Sequence, residues 1–288
     1  MDLSIIILNY NTKQLTLDAI QSVYDSELSY SYEIILVDNA STDGLVEEMP
    51  AIYPQVRVIA NKENVGFSRA NNQGIRISEG RYILLLNSDT VLEKDALQKM
   101  ILFMDQHPEV GAGGGKLVLP DGSLDKACRR GFPTPSASFY YAFGFSKLFP
   151  DNPRFNQYQL GYLSPDETYP VDCLVGAFMM VRREAIDQVG LLDEEFFMYG
   201  EDIDWCYRIK QAGWEIYYYP EVKITHYKGA SSRRKPWKIV YEFHRAMYLF
   251  HRKHYQKKYS APMNMLVYSG ISVKLTLAIV SNGLKRLR

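Results

Sequence analysis

Over the first 119 residues, short apolar runs alternate with segments of helical spacing. The runs are Ile5–Leu8, Ile34–Val37, Val56–Ala60, Tyr82–Leu86 and Leu117–Leu119. Between them lie the helical sets Leu15, Ala19 and Val23, then 43–49, Phe67–Ser78 and Lys94–His107. Strands alternating with helices predict a mostly parallel α/β sheet. Continuous apolar runs predict strands covered on both faces.

After Pro120 the rhythm changes. Asp121-Gly122 signals a tight turn. Pro133 to Pro170 is rich in Tyr, Phe, Pro and Asn and reads as a long irregular excursion, the kind of segment that often carries function. A strand-like run follows at Val171–Val181, then a helix over Arg183–Val189 and another over Asp202–Ala212, stopped by Gly213. Trp214–Tyr219 and Val222–Thr225 read as two strands, and Pro236–Tyr259 and Pro262–Leu287 as two C-terminal helices.

A chain of 288 residues with 47% apolar and 23% charged residues has enough apolar material for a sizeable core, which excludes a disordered chain. The net charge of zero hides an asymmetry. From Lys223 onward there are 15 basic residues and one acid, Glu242, which leaves Met1–Val222 with a net charge of −14. A basic tail on an acidic body points to an anionic partner such as phosphates or a membrane surface. No nucleic-acid recognition motif accompanies it, so nucleic acid is not expected as a partner. Cys128, Cys173 and Cys206 have neither metal-ligand nor disulfide spacing, and no signal peptide is visible, so a cytoplasmic location is expected.

The tail ends in Met263–Leu284, apolar but interrupted by Gly270, Lys274, Thr276 and Asn282, which makes it a poor membrane span. Read as a helix, it gathers Leu266, Val273, Leu277, Val280 and Leu284 into one stripe. That stripe suits a membrane interface, packing on the domain or an oligomer contact.

The glycine-rich stretch VGAGGGK at 110–116 fits neither a dinucleotide fingerprint nor a P-loop. Lys116 stands where the former needs glycine, and the latter needs four residues between its glycines followed by Lys-Ser/Thr. A strand with close backbone packing accounts for it better.

Ligands of open α/β sheets sit beyond the carboxyl ends of the strands. The first four strand ends carry Asn9 and Asn11, Asp38 and Asn39, Asn61 and Asn64, and Asn87-Ser88-Asp89. Turn chemistry explains one such end, but four in succession make a polar rim suited to a ligand.

These segments, LNYN at 8–11, VDNASTD at 37–43, NKENVGFSRANN at 61–72, LNSD at 86–89 and YGED at 199–202, together resemble glycosyltransferase family 2 over about Leu3 to Tyr227, closest to its bacterial rhamnosyltransferase-like members. The resemblance implies a GT-A fold in residues 1–227, with a basic loop and amphipathic helices over 228–288. It implies an inverting, metal-dependent enzyme that moves a sugar from a nucleoside diphosphate to a glycan or lipid-linked hydroxyl. Rhamnose from dTDP-rhamnose is the first donor expected, and a UDP-hexose or UDP-N-acetylhexosamine the second. A non-catalytic sugar-nucleotide-binding subunit is the alternative of another class. The resemblance implies a peripheral place on the inner face of the cell membrane, where such enzymes often act on lipid-linked glycans.

The residues carry over as follows. Asn9 and Asn11 would line the nucleotide pocket, and Asp38 would accept a hydrogen bond from the base. Asn64, Gly66 and Asn71 would wall the nucleoside. Asn87 and Ser88 would sit at the diphosphate, with Asp89 holding Mn²⁺ or Mg²⁺. The family's first acid is replaced here by Asn87, and His226, after the last strand, would complete the metal set. Glu201 would touch substrate and Asp202 would be the base. Asp204 is its rival, but residues two apart on a helix face nearly opposite sides. Cys173, Gly176 and Ala177 would lie beneath the sugar and acceptor. Arg233 and Arg234 would close on the diphosphate. Donor, acceptor, linkage and oligomeric state are not specified by these motifs.

Overall fold

A computed structural model describes residues 1–228 and 236–286. Its elements in chain order are β1 (Leu3–Asn9), α1 (Lys13–Tyr24), β2 (Tyr32–Asp38), α2 (Leu45–Ile52), β3 (Arg57–Ala60), α3 (Phe67–Ile77), β4 (Tyr82–Asn87), β5 (Thr90–Leu92), α4 (Ala96–Gln106) and β6 (Val110–Val118). Then come α5 (Pro135–Ala142), α6 (Phe145–Leu148), β7 (Tyr169–Pro170), β8 (Phe178–Arg182), α7 (Arg183–Val189), α8 (Glu201–Gln211), β9 (Glu215–His226), α9 (Pro236–Phe250) and α10 (Ala261–Arg286).

Among the described residues the strands form one sheet, ordered β3-β2-β1-β4-β8-β6-β9-β5, with β7 on β9. β1 lies parallel between β2 and β4, as its apolar sequence predicts, and its residues from Leu3 to Ile7 are buried. β8 runs antiparallel to β4 and β6, so the sheet is mixed at its centre. The register pairs Asn9 with Asp38 and Leu8 with Asn87, which brings three polar strand ends to one edge.

The glycine-rich stretch is β6, buried between α4, α8 and β9. A methyl group on Gly115 would meet the Val222 carbonyl at 2.5 Å, so this strand tolerates no side chain there.

Four expectations change. The excursion after Pro133 contains two short helices, α5 and α6. The run Val171–Val181 is strand only from Phe178. Before that its backbone bonds outward, to Arg130 and Asn87, instead of along a ladder. The two strands expected over 214–225 are one, β9. Its register against β6 shifts between Gly115 and Lys116, near Pro220. The first C-terminal helix turns wider over His251–Tyr255, so α9 ends at Phe250.

Candidate active site

The edge where β1, β2 and β4 end, the expected donor edge, is built on Asn9. Its Nδ2 donates to Asp38 Oδ1 (2.8 Å) and Ser41 Oγ (3.0 Å), while its Oδ1 accepts from the Thr12 N–H and from the hydroxyls of Thr12 and Thr16. Its hydrogen-bonding capacity is spent internally and it is fully buried. Asn9 therefore fixes the strand ends and does not line a pocket. Asp38 takes one bond on each oxygen, from Asn9 and from the Ser41 N–H, and keeps further lone pairs. Asn11, at φ 54°, accepts from the Thr42 N–H and hydroxyl.

Asn64 accepts from Asn39 and from the Gly66 N–H. Gly66 has φ +90°, and a methyl group there would lie 2.6 Å from the Phe197 carbonyl, so it cannot be replaced without moving the 193–197 segment. Asn71 is nearly buried, and its Nδ2 donates back to the Phe67 carbonyl of its own helix. Ser88 hydrogen-bonds Thr12 across the cleft floor.

The sequence pattern did not show β5. This three-residue strand pairs antiparallel with β9, with Thr90 opposite His226, and the Asp89 carbonyl accepts from the Tyr227 N–H. The pairing places His226 Nε2 3.3 Å from Asp89 Oδ1, both groups buried. Behind the imidazole, Asp125 Oδ2 accepts from His226 Nδ1 at 2.9 Å, and Lys228 reaches Asp125 Oδ1 at 2.7 Å. The Asp121-Gly122 turn returns the chain beside β6 and delivers Asp125 there. Burial disfavours the charged imidazole, but the bonds to Asp125 and Asp89 outweigh it and raise His226 to about 9. Burial would push Asp125 up, yet His226 and Lys228 hold it well below the ordinary carboxylate range.

One carboxylate oxygen and one imidazole nitrogen facing a common point form a donor set that a divalent cation such as Mn²⁺ accepts. Among the described residues no three His, Cys, Asp or Glu side chains converge on a complete cage. The protein thus offers a partial shell with room for ligand oxygens. By accepting the Nδ1–H bond, Asp125 orients the ring so that Nε2 is the nitrogen that could ligate a metal once its own proton is lost.

The edge at the start of α8, the expected acceptor edge, is built differently. Asp202 opens α8, where Arg130 Nη2 donates to its Oδ2 at 2.6 Å, and the same nitrogen donates to the Leu174 carbonyl. Glu201 beside it is buried, and its Oε2 has no hydrogen-bond partner. Burial, with the neighbouring Asp202 charge, pushes Glu201 up to about 8. Asp204 faces elsewhere, held by Arg208 (2.8 Å) and His254 (2.6 Å).

Segment 174–177 joins the two edges. The Leu174 carbonyl holds Arg130 and the Ala177 carbonyl accepts from the Asn87 N–H. Three extended residues span at most about 10 Å, so the Arg130–Asp202 pair and the end of β4 lie on neighbouring parts of the same sheet edge. Gly176 lets this segment pass the Phe67 ring, since a methyl group there would approach it to 3.3 Å. Cys173 is a correction: it is fully buried in the core, with its thiol against Cys206, and cannot touch a ligand. Arg233 and Arg234 lie outside the described residues. A cavity of about 640 Å³ opens beside Asn64, where Glu63, Asp193, Glu194, Glu195 and Glu242 are accompanied by Arg69 and Arg245.

Residues 4–190, more than half of the chain, match the family model "Glycosyl transferase family 2". The chain belongs to that family. A relative from Mycobacterium tuberculosis, N-acetylglucosaminyl-diphospho-decaprenol L-rhamnosyltransferase, is 29% identical over 88% of this chain and 85% of its own. The low-salt glycan biosynthesis hexosyltransferase Agl10 of Haloferax volcanii is 27% identical over 75% of this chain and 64% of its own. Among solved structures, S. aureus TarS 1–349 superposes with a TM-score of 0.60 at 16% identity, covering 95% of this chain and 71% of that one. The mannosyltransferase PcManGT of Pyrobaculum calidifontis, in complex with GDP-Man and Mn²⁺, gives 0.59 at 17% identity, covering 96% and 75%. The fold of this glycosyltransferase is therefore GT-A, as the motifs implied. Its sequence did not reveal Asp125 or Arg130; the only signal was a pair of arginines, 129 and 130, in an otherwise acidic body.

Proposed function

We propose that the enzyme transfers a sugar, with inversion, from a pyrimidine nucleoside diphosphate to a hydroxyl of a lipid-linked glycan. The observation that carries this reading is the pair of sites joined by segment 174–177: a buried carboxylate–imidazole pair at Asp89 and His226, and an arginine-held carboxylate at Asp202. The mycobacterial relative, by its name an L-rhamnosyltransferase acting on a diphospho-decaprenol glycan, supports rhamnose as the sugar and a diphospho-lipid glycan as the acceptor, with dTDP the nucleotide that the motif resemblance implies.

Asp89 and His226 would hold Mn²⁺ or Mg²⁺, which supplies positive charge against the departing diphosphate. Asp38 would accept from the pyrimidine N–H with the lone pairs that Asn9 and Ser41 leave free. Asp202 would take the proton of the acceptor hydroxyl as that oxygen attacks the anomeric carbon opposite the diphosphate. Arg130 orients Asp202 through one oxygen. Glu201, carrying a proton at neutral pH, would leave the negative charge of the pair on Asp202, its own unpartnered oxygen being closed off from substrate.

We read residues 1–227 as the catalytic module and 228–288 as its attachment to an anionic membrane surface. The stripe Leu266, Val273, Leu277 and Val280 is more than half exposed and faces away from α9. Ala261–Asn282 is long and apolar enough to cross a membrane, with mean hydropathy 1.5 over its 18-residue window and none of it buried, although the interruptions in its sequence predicted a poor span. Lys274 sits near its middle, where a charge costs roughly 2.5–3.5 kcal/mol in a spanning helix, so the in-plane arrangement is favoured. Deleting 263–288 should release the protein from anionic vesicles.

Thermal shift against dTDP-, UDP- and GDP-sugars with Mn²⁺ tests the donor, because a ligand that binds only the folded chain raises its Tm. The reading expects dTDP-rhamnose to stabilise most, and NMR of the product to show the opposite anomer. Stabilisation by no nucleotide sugar, or retention of the anomer, would overturn it.

A further inference from the structure

The excursion between the two edges carries an aromatic cluster that the mechanism does not use. Residues 133–165 include nine Phe or Tyr and only three charges, Lys147, Asp151 and Arg154. The rings pack on one another: Phe139 on Phe143 at 4.6 Å, Tyr140 on Phe155 at 5.0 Å, Phe149 on Phe155 at 5.2 Å. None of these rings belongs to the main core. Their outer side meets solvent, with Phe143 68% and Leu148 71% exposed, alongside Phe139, Tyr141 and Phe149. A folded chain seldom leaves such an apolar island bare unless something covers it.

Two connections say what covers it. The first runs inward to the base. Tyr141 packs on Tyr158 at 5.4 Å, Tyr158 lies beside the Arg130 guanidinium, and Arg130 holds Asp202. The island is thus the outer continuation of the acceptor edge. The second runs sideways to the basic tail. Phe132, at its root, meets Tyr207 at 5.0 Å, and Tyr207 also meets His254, Tyr255 and Lys258. Lys257 and Lys258 are exposed there, and α10 with its apolar stripe starts three residues later. Aromatic rings next to lysines and an apolar helix have the composition of a membrane–water boundary. A protein partner needs no adjoining cationic turn, whereas an anionic bilayer does.

We propose that the α5–α6 aromatic island inserts into the lipid surface, so that an acceptor held in that bilayer presents its head group to Asp202. This rests on the reading of the acceptor as lipid-linked, but the insertion itself is measured without turnover. The three native cysteines are all buried, so a nitroxide can be directed to Phe143→Cys or Leu148→Cys in the full chain. Vesicles of phosphatidylcholine and phosphatidylglycerol are added, and the accessibility of the label to oxygen and to a water-soluble nickel chelate is read. Insertion predicts that oxygen access rises and nickel access falls several-fold at both sites, with no change at Glu79→Cys on the far end of the sheet. Phe143→Ser/Leu148→Ser should bind such vesicles several-fold more weakly with nucleotide affinity unchanged. Labels that keep their aqueous accessibility while the protein is vesicle-bound would overturn the proposal. So would spin–spin broadening that grows with protein concentration without lipid, because a second copy would then be the occupant. If the labels insert but no nucleotide sugar binds, the surface stands and the functional reading fails.

Discussion

At the donor edge, Asn9, Thr12, Thr16, Asp38 and Ser41 are joined by short hydrogen bonds between segments that follow β1 and β2. At the acceptor edge, Asp202 is held by one arginine 72 residues away in the chain, and Glu201 has an oxygen with no partner at all. The first network is mostly neutral and its geometry follows from the register of parallel strands. The second depends on a nearly buried ion pair, whose members cost free energy when separated. The donor edge is therefore rigid by construction, while the acceptor edge holds a nearly buried ion pair beside a buried oxygen that has no partner.

The largest effect should come from breaking the ion pair. Arg130→Met leaves Asp202 nearly buried and unpaired, which should cost about 3–5 kcal/mol in urea unfolding. Adding Asp202→Asn should recover most of that stability but none of the transfer. Additive losses in the double variant would show that the two residues do not act as a pair.

On the donor side, Asp89→Ala should abolish the Mn²⁺ dependence of nucleotide-sugar binding, measured by calorimetry with and without chelator, and leave the fold intact. Asp125→Asn keeps the shape but loosens the hold on His226 Nδ1, so Mn²⁺ affinity should fall by about 10–100-fold. Unchanged Mn²⁺ affinity there would make Asp125 purely structural.

A smaller effect separates the two edges by pH. Glu201, at about 8 in the folded chain against 4.5 unperturbed, keeps a proton that the unfolded chain has lost. Its contribution to stability therefore falls as pH rises from 4.5 to 8. His226, raised to about 9 from 6.5, adds a decline in the same direction from 6.5 to 9 in metal-free protein. Glu201→Gln should remove the lower part of this slope and stabilise the protein at pH 8 relative to the parent. Unfolding midpoints across that range decide it, and an unchanged slope below 6.5 would contradict the assignment.

The donor edge was largely legible in the sequence because each of its residues ends a strand that hydrophobic patterning locates. Even there the role of Asn9 differs from the one expected, since a strand-end amide looks the same whether it faces a ligand or braces the backbone. The acceptor edge was legible only at Glu201 and Asp202, where the motif is contiguous. Arg130 and Asp125 act on partners 72 and 101 residues away, and no local pattern encodes such a pairing. β5 is too short to show periodicity, yet it aligns Asp89 with His226. The aromatic-rich excursion gave no period because its rings pack on each other, outside the layers of the sheet.

The most direct test of the mechanism compares Asp202→Asn with Asp204→Asn, reading donor affinity and transfer rate for each. Asp204 is tied to Arg208 and His254, away from the cleft, so its loss should lower stability and leave transfer near the parent rate. Asp202→Asn should bind the nucleotide sugar as the parent does and transfer about 10²–10⁴-fold more slowly, the usual loss when a positioned base is removed. Transfer at the parent rate in Asp202→Asn, or its disappearance in a folded Asp204→Asn, would contradict the account.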